Sequence, residues 1–362
     1  MILQWKTIRL RTKLYIGLLL IFIISFVVFY KKTLEALQVS KELLLIFEKH
    51  KSKSLNCHNE EYLNEDLYIY QGSHTRDGDL FSLQGMPQFK TPVKGDDVDL
   101  TDLADPFQPQ LTARNIAQMD KLLRIWLRIM KEIDDNSNCF LMSGGTLLGS
   151  HRHHGYIPWD DDIDLLANIN CIPKVYEKLK EYSPDVVYWS NSEKMKIYGK
   201  IDNVTTFRSS VYNWGWPYLD IAFFNVNRTH LCEMPYVYGR YYHYKITMIF
   251  PLMLRPFRQF WLPAPVDTKA YLRETYPGYN EGACNMGGYS HIIEGAGRSG
   301  SVKCDDLRFT YPFVKRTKDA RIENSSVHQN MTWMKETLYR VDSMNHTPVI
   351  YHTLCLPYIG DN

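Results

Sequence analysis

The chain has 362 residues, of which 45% are hydrophobic and 23% are charged, so a largely disordered protein is excluded. It carries 42 basic and 40 acidic side chains, which gives a formal net charge of +2. This balanced average hides an asymmetry, because the N-terminal segment differs from the rest of the chain.

The first predicted element is an uncharged apolar run that begins at Leu14 and ends at Tyr30. A helix of this length spans about 25 Å, which is close to the hydrocarbon thickness of a thin bilayer. Basic residues lie on both sides of the run: Lys6, Arg9, Arg11, Lys13, Lys31 and Lys32. No small-residue cleavage site follows, so the pattern favours a transmembrane signal-anchor over a cleaved signal peptide. The basic flank predicts a cytosolic tail over residues 1–13 and a lumenal body in the Golgi or ER.

Without the six flanking basic residues, the chain has 36 basic and 40 acidic side chains, a net charge of −4. A body of this sign lacks the basic surface of a nucleic-acid binder, so nucleic acid is excluded as a partner. The seven cysteines permit disulfides in an oxidising lumen, and Cys284–Cys304 is the predicted pair. Five sequons predict N-glycosylation at Asn203, Asn227, Asn324, Asn330 and Asn345.

Residues 31–110 are predicted to form a stem, because a stalk-like helical pattern gives way to a polar stretch with scattered glycine and proline. A lumenal domain is predicted over residues 111–362. It opens with apolar residues at helical spacing up to Ile133, preceded by Thr112 as a helix N-cap.

A short apolar strand over residues 139–142 is predicted next, followed by Ser143-Gly144-Gly145-Thr146 and a helix that begins near Leu147. A strand, small residues and a helix start together can bind a phosphate group. A plain turn is the alternative.

Four aspartates follow at positions 160–162 and 164, between apolar flanks. On a strand, Asp162 and Asp164 would share one face. Two such carboxylates repel each other unless a cation lies between them, and Mg²⁺ is a suitable hard cation. Asp220 is the predicted third acid, because it lies alone in an apolar run where a metal would offset its desolvation. A solvated acidic turn and a capping Asp220 are the alternatives.

The segment from Gly144 to Asp164, GGTLLGSHRHHGYIPWDDDID, resembles the signature of the LicD/fukutin family. Tyr156 stands where phenylalanine is usual, and His151 stands where a small apolar residue is common. The LDIAFF segment around Asp220 resembles the third-acid segment of that family, while residues 260–265 and 271–276 resemble its downstream region more loosely. The resemblance covers about residues 111–280.

The resemblance implies an α/β fold, namely a nucleotidyltransferase-like mixed sheet with flanking helices. It also implies Mg²⁺-dependent transfer, with Mn²⁺ as a substitute, of a phospho-alcohol such as phosphocholine or ribitol phosphate. The donor would be CDP-activated and the acceptor a glycan, glycolipid or glycoprotein. The implied catalytic and metal-binding residues are Asp162, Asp164 and Asp220, of which Asp220 would share the metal or accept the acceptor's proton. The implied donor-binding residues are Gly144, Gly145, Thr146 and Arg152.

Two other functions stay open from the sequence. A metal-dependent Golgi glycosyltransferase that uses a nucleotide sugar shares the same anchor and stem. A lumenal glycan-binding or scaffold protein could keep the fold without turnover. Residues 151–154 predict a polar histidine-rich loop. Trp214, Trp216 and Tyr218 indicate either core packing or a surface for cytosine or a quaternary ammonium.

Overall fold

The computed structural model describes residues 69–70, 107–133, 138–209, 211–276, 279, 281–318 and 332–358. Its α-helices are α1 Ala113–Ile133, α2 Gly144–His153, α3 Ile172–Leu179, α4 Ile246–Ile249, α5 Thr268–Thr275 and α6 Cys304–Leu307. Its strands are β1 Ile69–Tyr70, β2 Phe140–Met142, β3 Ile163–Asn168, β4 Val186–Ser190, β5 Lys194–Gly199, β6 Phe207–Arg208, β7 Gly215–Trp216, β8 Tyr218–Val226, β9 His230–Glu233, β10 His243–Lys245, β11 Leu252–Phe257, β12 Phe260–Ala264, β13 Ala283–Ser290, β14 Gly295–Lys303, β15 Phe313–Lys318, β16 Thr332–Val341 and β17 Pro348–Tyr358. The predicted α/β class is confirmed.

The central sheet is mixed and is organised around β8. Its strand order is β10-β9-β8-β3-β2, and β5 also pairs with β8 while β4 pairs with β5. Strands β3 and β8 run parallel, whereas the other pairings in this sheet are antiparallel. The apolar run that carries Asp220 therefore lies at the centre of the sheet, where Ile221, Phe223 and Phe224 are buried.

Helix α1 forms where the apolar spacing predicts it, and it covers the sheet. Thr112 Oγ1 accepts a hydrogen bond from the Asn115 N–H (3.1 Å), which confirms the predicted cap. The apolar face of the helix buries Met119, Leu123 and Trp126, and Trp126 packs edge-on against Phe140 of β2. Burial of this stripe is what holds a surface helix on a sheet.

Helix α2 begins at Gly144, directly after β2, and not near Leu147 as the sequence predicted. The predicted histidine-rich loop is also wrong, because residues 151–153 belong to α2 and His154 caps it with a left-handed backbone (φ 51°). These histidines are buried, with His154 only 2% exposed. The polar residue types of this segment therefore gave no indication that it forms the buried end of a helix.

Disulfides and smaller sheets complete the described structure. The predicted Cys284–Cys304 bond is confirmed, Cys139 bonds to Cys171, and Cys232 is also disulfide-bonded. Strand β1, which lies within the predicted stem, pairs in parallel with β11. Strands β13 and β14 form a hairpin, and β15, β16 and β17 form an antiparallel sheet.

All described residues belong to one unit, Glu60–Asn362. Within that part of the chain, no helix has both the length and the apolar character needed to cross a bilayer. The predicted anchor over 14–30 lies outside the described residues, as do the tail and most of the predicted stem.

Candidate active site

Strands β3 and β8 bring the predicted acids together. The strands are parallel neighbours, and their register places Asp164 directly opposite Asp220. Asp162 lies just before β3, and its carboxyl group interacts electrostatically with those of Asp160 and Asp164. The aspartates that the sequence predicted as one site therefore lie together where the neighbouring strands β3 and β8 begin.

The turn between β2 and α2 packs against these acids. The Gly145 N–H donates to Asp164 Oδ2 (2.6 Å), and the Asp164 N–H donates to Thr146 Oγ1 (2.7 Å). Gly144 has φ 47°, and a Cβ at that position would overlap Asp164 Oδ2. Only glycine tolerates both the backbone angle and the close approach. The predicted phosphate-binding turn and the acidic strand thus form one unit at the start of α2.

Burial shapes the electrostatics of the acidic cluster. It raises the pKa of Asp160, to about 7, and the repulsion from Asp164 and Asp161 adds to this effect. Burial also raises the pKa of Asp162 and of Asp164, and in both the charge of His291 acts in the opposite direction. Such a cluster is stabilised by positive charge placed among the carboxylates.

Lys196 supplies the first of these charges. It lies opposite Asp220 on the antiparallel strand β5, is 2% exposed, and places Nζ 2.6 Å from Asp220 Oδ2. Burial raises the pKa of Asp220, but the charges of Lys196 and Lys194 and the hydrogen bond from Lys196 together outweigh burial and hold the pKa below its usual value. The Nζ atom also lies 3.7 Å from the ring centroid of Tyr218 and 5.3 Å from that of Trp214. Two of the three aromatic residues considered for a quaternary ammonium, Trp214 and Tyr218, therefore lie against a lysine of the chain itself, whereas the indole N–H of Trp216 donates to the Asp161 carbonyl (2.8 Å).

His291 supplies the second charge, from the tip of the β13–β14 hairpin. Its Nδ1 lies 2.7 Å from Asp161 Oδ1, and its Nε2 lies 3.4 Å from Asp162 Oδ2. Burial lowers its pKa, but the charges of Asp162 and Asp161 outweigh burial and raise the pKa well above 6.5. Sequence reasoning missed both His291 and Lys196, because neither belongs to a motif and each reaches the acids only through the tertiary fold.

The donor set fits a divalent cation. Asp161, Asp162 and His291 have ligand atoms within 4.8 Å of one another, and neither Asp164 nor Asp220 belongs to that group. Asp162 is 3% exposed, and its Oδ2 has no hydrogen-bond partner among the described residues. A buried carboxylate oxygen without a donor is costly unless a cation meets it. Oxygen-rich donor sets of this kind suit Mg²⁺ or Mn²⁺.

Arg152 is not brought to the acidic cluster. It lies near the C-terminal end of α2, about 12 Å along the helix from Gly144. Its guanidinium donates to the Ala283 carbonyl (2.9 Å) and lies over the Tyr279 ring. These contacts attach the β13–β14 hairpin to α2. These contacts do not support the predicted phosphate contact of Arg152, which stays a prediction.

The predicted glycosylation sites differ in accessibility. Asn203 and Asn345 are exposed. Asn227 is 3% exposed, and its Oδ1 accepts hydrogen bonds from the N–H groups of Thr229 and His230, so this sequon lies inside a tight turn. Asn324 and Asn330 lie outside the described residues.

The part of the chain that forms this site is similar to known proteins. Residues 137–267 match the LicD/FKTN/FKRP family, nucleotidyltransferase domain. The chain is also similar to the lipopolysaccharide cholinephosphotransferase LicD of Haemophilus influenzae, with 44% identity over 50 residues. That similarity covers 14% of this chain and 15% of the relative's length. The family match contains the β2–α2 turn and all three predicted acids, so residues 137–267 form a domain of the LicD/fukutin family, as the resemblance of the sequence implied.

Proposed function

We propose that this protein is a metal-dependent phosphotransferase that moves a phospho-alcohol from a CDP-activated donor to a glycan, glycolipid or glycoprotein. The observation that carries the proposal is the register of Asp164 against Asp220 beside the Gly144-Gly145 turn. This register supports the proposal, because a diphosphate bound at the start of α2 would lie beside these carboxylates. Phosphoryl-group transfer needs chiefly positioning and charge neutralisation, and this site is built to provide both.

Each group has a separate task in this proposal. Asp162, Asp164 and Asp220 would hold Mg²⁺, which supplies positive charge to the donor diphosphate when bound. The start of α2 would present Gly144, Gly145 and Thr146 to a phosphate, in place of the carboxylate that Gly145 now binds. Asp220 keeps one oxygen on Lys196 and has the other for the metal or for the acceptor hydroxyl.

The donor and the location are further parts of the proposal. The name of the Haemophilus relative makes phosphocholine one donor group to test, and ribitol phosphate and glycerol phosphate are the others. With residues 14–30 as a signal-anchor, the domain would face the lumen of the Golgi or ER, where glycan acceptors are found.

Transfer by the purified full chain in detergent tests this function. CDP-choline, CDP-ribitol and CDP-glycerol are each incubated with Mg²⁺ and a panel of glycan acceptors, and the phospho-substituted product is measured by mass spectrometry. Asp164→Asn should lower turnover at least about 100-fold, because it removes charge at the reacting diphosphate. Asp305→Asn is the matched control, since that carboxylate is 81% exposed in a pair with Arg308. Full turnover in folded Asp164→Asn would refute the proposal.

Donor binding separates this function from the two alternatives. Protection from thermal unfolding by CDP-alcohols is expected, because a ligand that binds the folded state raises its stability. Protection by UDP- or GDP-sugars alone would indicate a glycosyltransferase. Protection by CDP-alcohols without any product across the acceptor panel would indicate a protein that retains the fold without turnover.

A further inference from the structure

We propose that His291 is a metal ligand of this site, acting through Nε2 beside Asp162 Oδ2, with Asp161 as the carboxylate that orients the ring. The inference shares its ion with the proposed function and deepens it. It adds a ligand that lies outside the matched residues 137–267 and that no motif in the sequence indicates.

Asp161 has little capacity left to bind a cation itself. Its Oδ1 is bonded to His291 Nδ1 (2.7 Å). Its Oδ2 accepts from the Ser290 hydroxyl (3.2 Å) and from the N–H groups of His291 (2.9 Å) and Ile292 (3.3 Å). Four donors therefore converge on one carboxylate, and three of them belong to the hairpin tip. The contacts identify Asp161 as the residue that fixes the position and the ring orientation of His291.

This orientation determines which ring nitrogen is available. A carboxylate can only accept, so the hydrogen-bonded Nδ1 carries a hydrogen and Nε2 is the nitrogen that can bind a metal. A histidine that ligates a metal almost always donates its other N–H to a carboxylate or carbonyl, which is the role of Asp161 here. Binding of the ion displaces the proton from Nε2, as in other histidine sites.

The second ligand is the oxygen of Asp162 that has no hydrogen-bond partner among the described residues. It lies 3.4 Å from His291 Nε2. Two ligand atoms about 2.1 Å from one ion lie about 3.0 to 3.4 Å apart for octahedral to tetrahedral angles. The side chain of His291 is 26% exposed while that of Asp162 is 1% exposed, so the ion reaches the pair from the histidine side.

An imidazole ligand changes the preferred ion. Mg²⁺ favours oxygen ligands and keeps much of its water, whereas first-row transition ions accept nitrogen readily. We therefore expect Mn²⁺ to bind more tightly than Mg²⁺, and we expect this preference to depend on His291.

Pulsed electron paramagnetic resonance on the Mn²⁺-loaded full chain tests this inference without donor or acceptor present. The wild type should show nitrogen modulation from a coordinated imidazole, and His291→Gln should lose it and bind Mn²⁺ about 10- to 100-fold more weakly. Asp161→Asn should weaken binding over a similar range, because the amide can donate to Nδ1 and thereby select the wrong ring form. His230→Gln is the control, since that ring belongs to β9 and bonds to the hydroxyl of its neighbour Thr229.

Two outcomes would overturn the inference. One is Mn²⁺ bound by the wild type without nitrogen modulation, or no Mn²⁺ binding at all. The other is modulation that persists in His291→Gln. Because the signal reports only coordination, it fails or succeeds separately from phospho-alcohol transfer, which the assays of the proposed function measure.

Discussion

Lys196 carries its ammonium into the interior, where it meets Asp220 and the rings of Tyr218 and Trp214. A buried lysine is expensive unless a carboxylate and a polarisable surface replace its lost hydration. Here the chain supplies both. The tyrosine hydroxyl and the indole N–H in turn donate to Glu294 Oε1, so the aromatic walls are themselves fixed by the β13–β14 hairpin.

Removal of the ammonium should destabilise the protein. Lys196→Met leaves Asp220 in the interior without its partner, so the free energy of unfolding should fall by about 3 kcal/mol. Chemical denaturation of the full chain measures this change. The double variant Lys196→Met/Asp220→Leu should regain part of the loss, because an apolar pair can replace a buried ion pair.

Lys180→Met is the matched control for that experiment. Its ammonium pairs with Glu177, and both side chains are well exposed (64% and 71%). Exposed pairs of this kind contribute little, so the variant should unfold like the wild type. Equal stability of Lys196→Met and the wild type would show that the Lys196–Asp220 pair contributes nothing to folding.

At the scale of secondary-structure elements, one unit positions the candidate site. It consists of β2, the turn at Gly144, α2 and β3. Gly144 turns the chain with φ 47°, and Asp164 approaches so closely that a Cβ has no room. The Gly145 N–H and Asp164 Oδ2 then close the unit at 2.6 Å. A substitution at Gly144 therefore moves the acid and the helix start together.

Gly144→Ala should impair both stability and transfer. The left-handed backbone alone costs more than about 1 kcal/mol for alanine, and the displaced Asp164 carboxylate adds to it. Thermal unfolding and the CDP-donor assay measure the two effects. Gly287→Ala is the control, because a Cβ there meets nothing within 4 Å. If Gly144→Ala matched this control in both assays, the turn would not constrain the acid.

Local patterns in the sequence were sufficient for several of these elements. The 3.6-residue apolar period predicts α1 and its Thr112 cap, and both are confirmed. The alternation around Asp162 and Asp164 predicts the strand that forms β3. Propensity is a weak guide at element ends, however, so the start of α2 and the histidines after it were missed. Their placement depends on packing against β15 and β16, which no local pattern records.

At the scale of the molecule, Glu336 of β16 connects the C-terminal sheet to the rest of the protein. It is 1% exposed and accepts from Arg255 of β11 (2.9 Å), Arg316 of β15 (2.9 Å) and His154 at the end of α2 (2.7 Å). Burial raises its pKa, but the charges of Arg255 and Arg316 outweigh burial and hold the pKa well below 4.5. One carboxylate thus joins three separate parts of the described structure.

Glu336→Gln should lower the free energy of unfolding at pH 7 by about 3–5 kcal/mol, because the buried guanidinium of Arg255 and the partly buried one of Arg316 lose their counter-charge. The difference in free energy of unfolding between the wild type and this variant is largest above pH 4.5, the ordinary pKa of a glutamate. It disappears as the pH falls through the lower pKa that Glu336 has in the folded state. The two proteins should therefore converge in acid. Denaturation at several pH values measures this, with the exposed Glu274→Gln as control. A difference that does not change with pH would contradict the assigned charge.

Contacts between residues that are far apart in the chain are the part of the site that no sequence pattern predicted. The three acids follow from apolar runs interrupted by aspartate, and the family resemblance supports them. Lys196 and His291 come to the acids from β5 and from a hairpin beyond the matched residues. Arg152 is the opposite case. It belongs to the motif, but in the structure it donates to the Ala283 carbonyl and thereby attaches the β13–β14 hairpin to α2. Spacing along the chain predicts neighbours within an element, while contacts between elements depend on the whole fold.

The separation between Asp161 and His291 has a consequence for how the protein is made. The two residues are 130 positions apart, and Asp161 comes first. At about 5–20 residues per second, a growing chain carries the acids for roughly 6 to 26 seconds before the hairpin that supplies the histidine is synthesised. During that interval the carboxylates repel one another without the imidazole among them. The acidic cluster therefore acquires its imidazole late in synthesis, after residues 137–267 have been made.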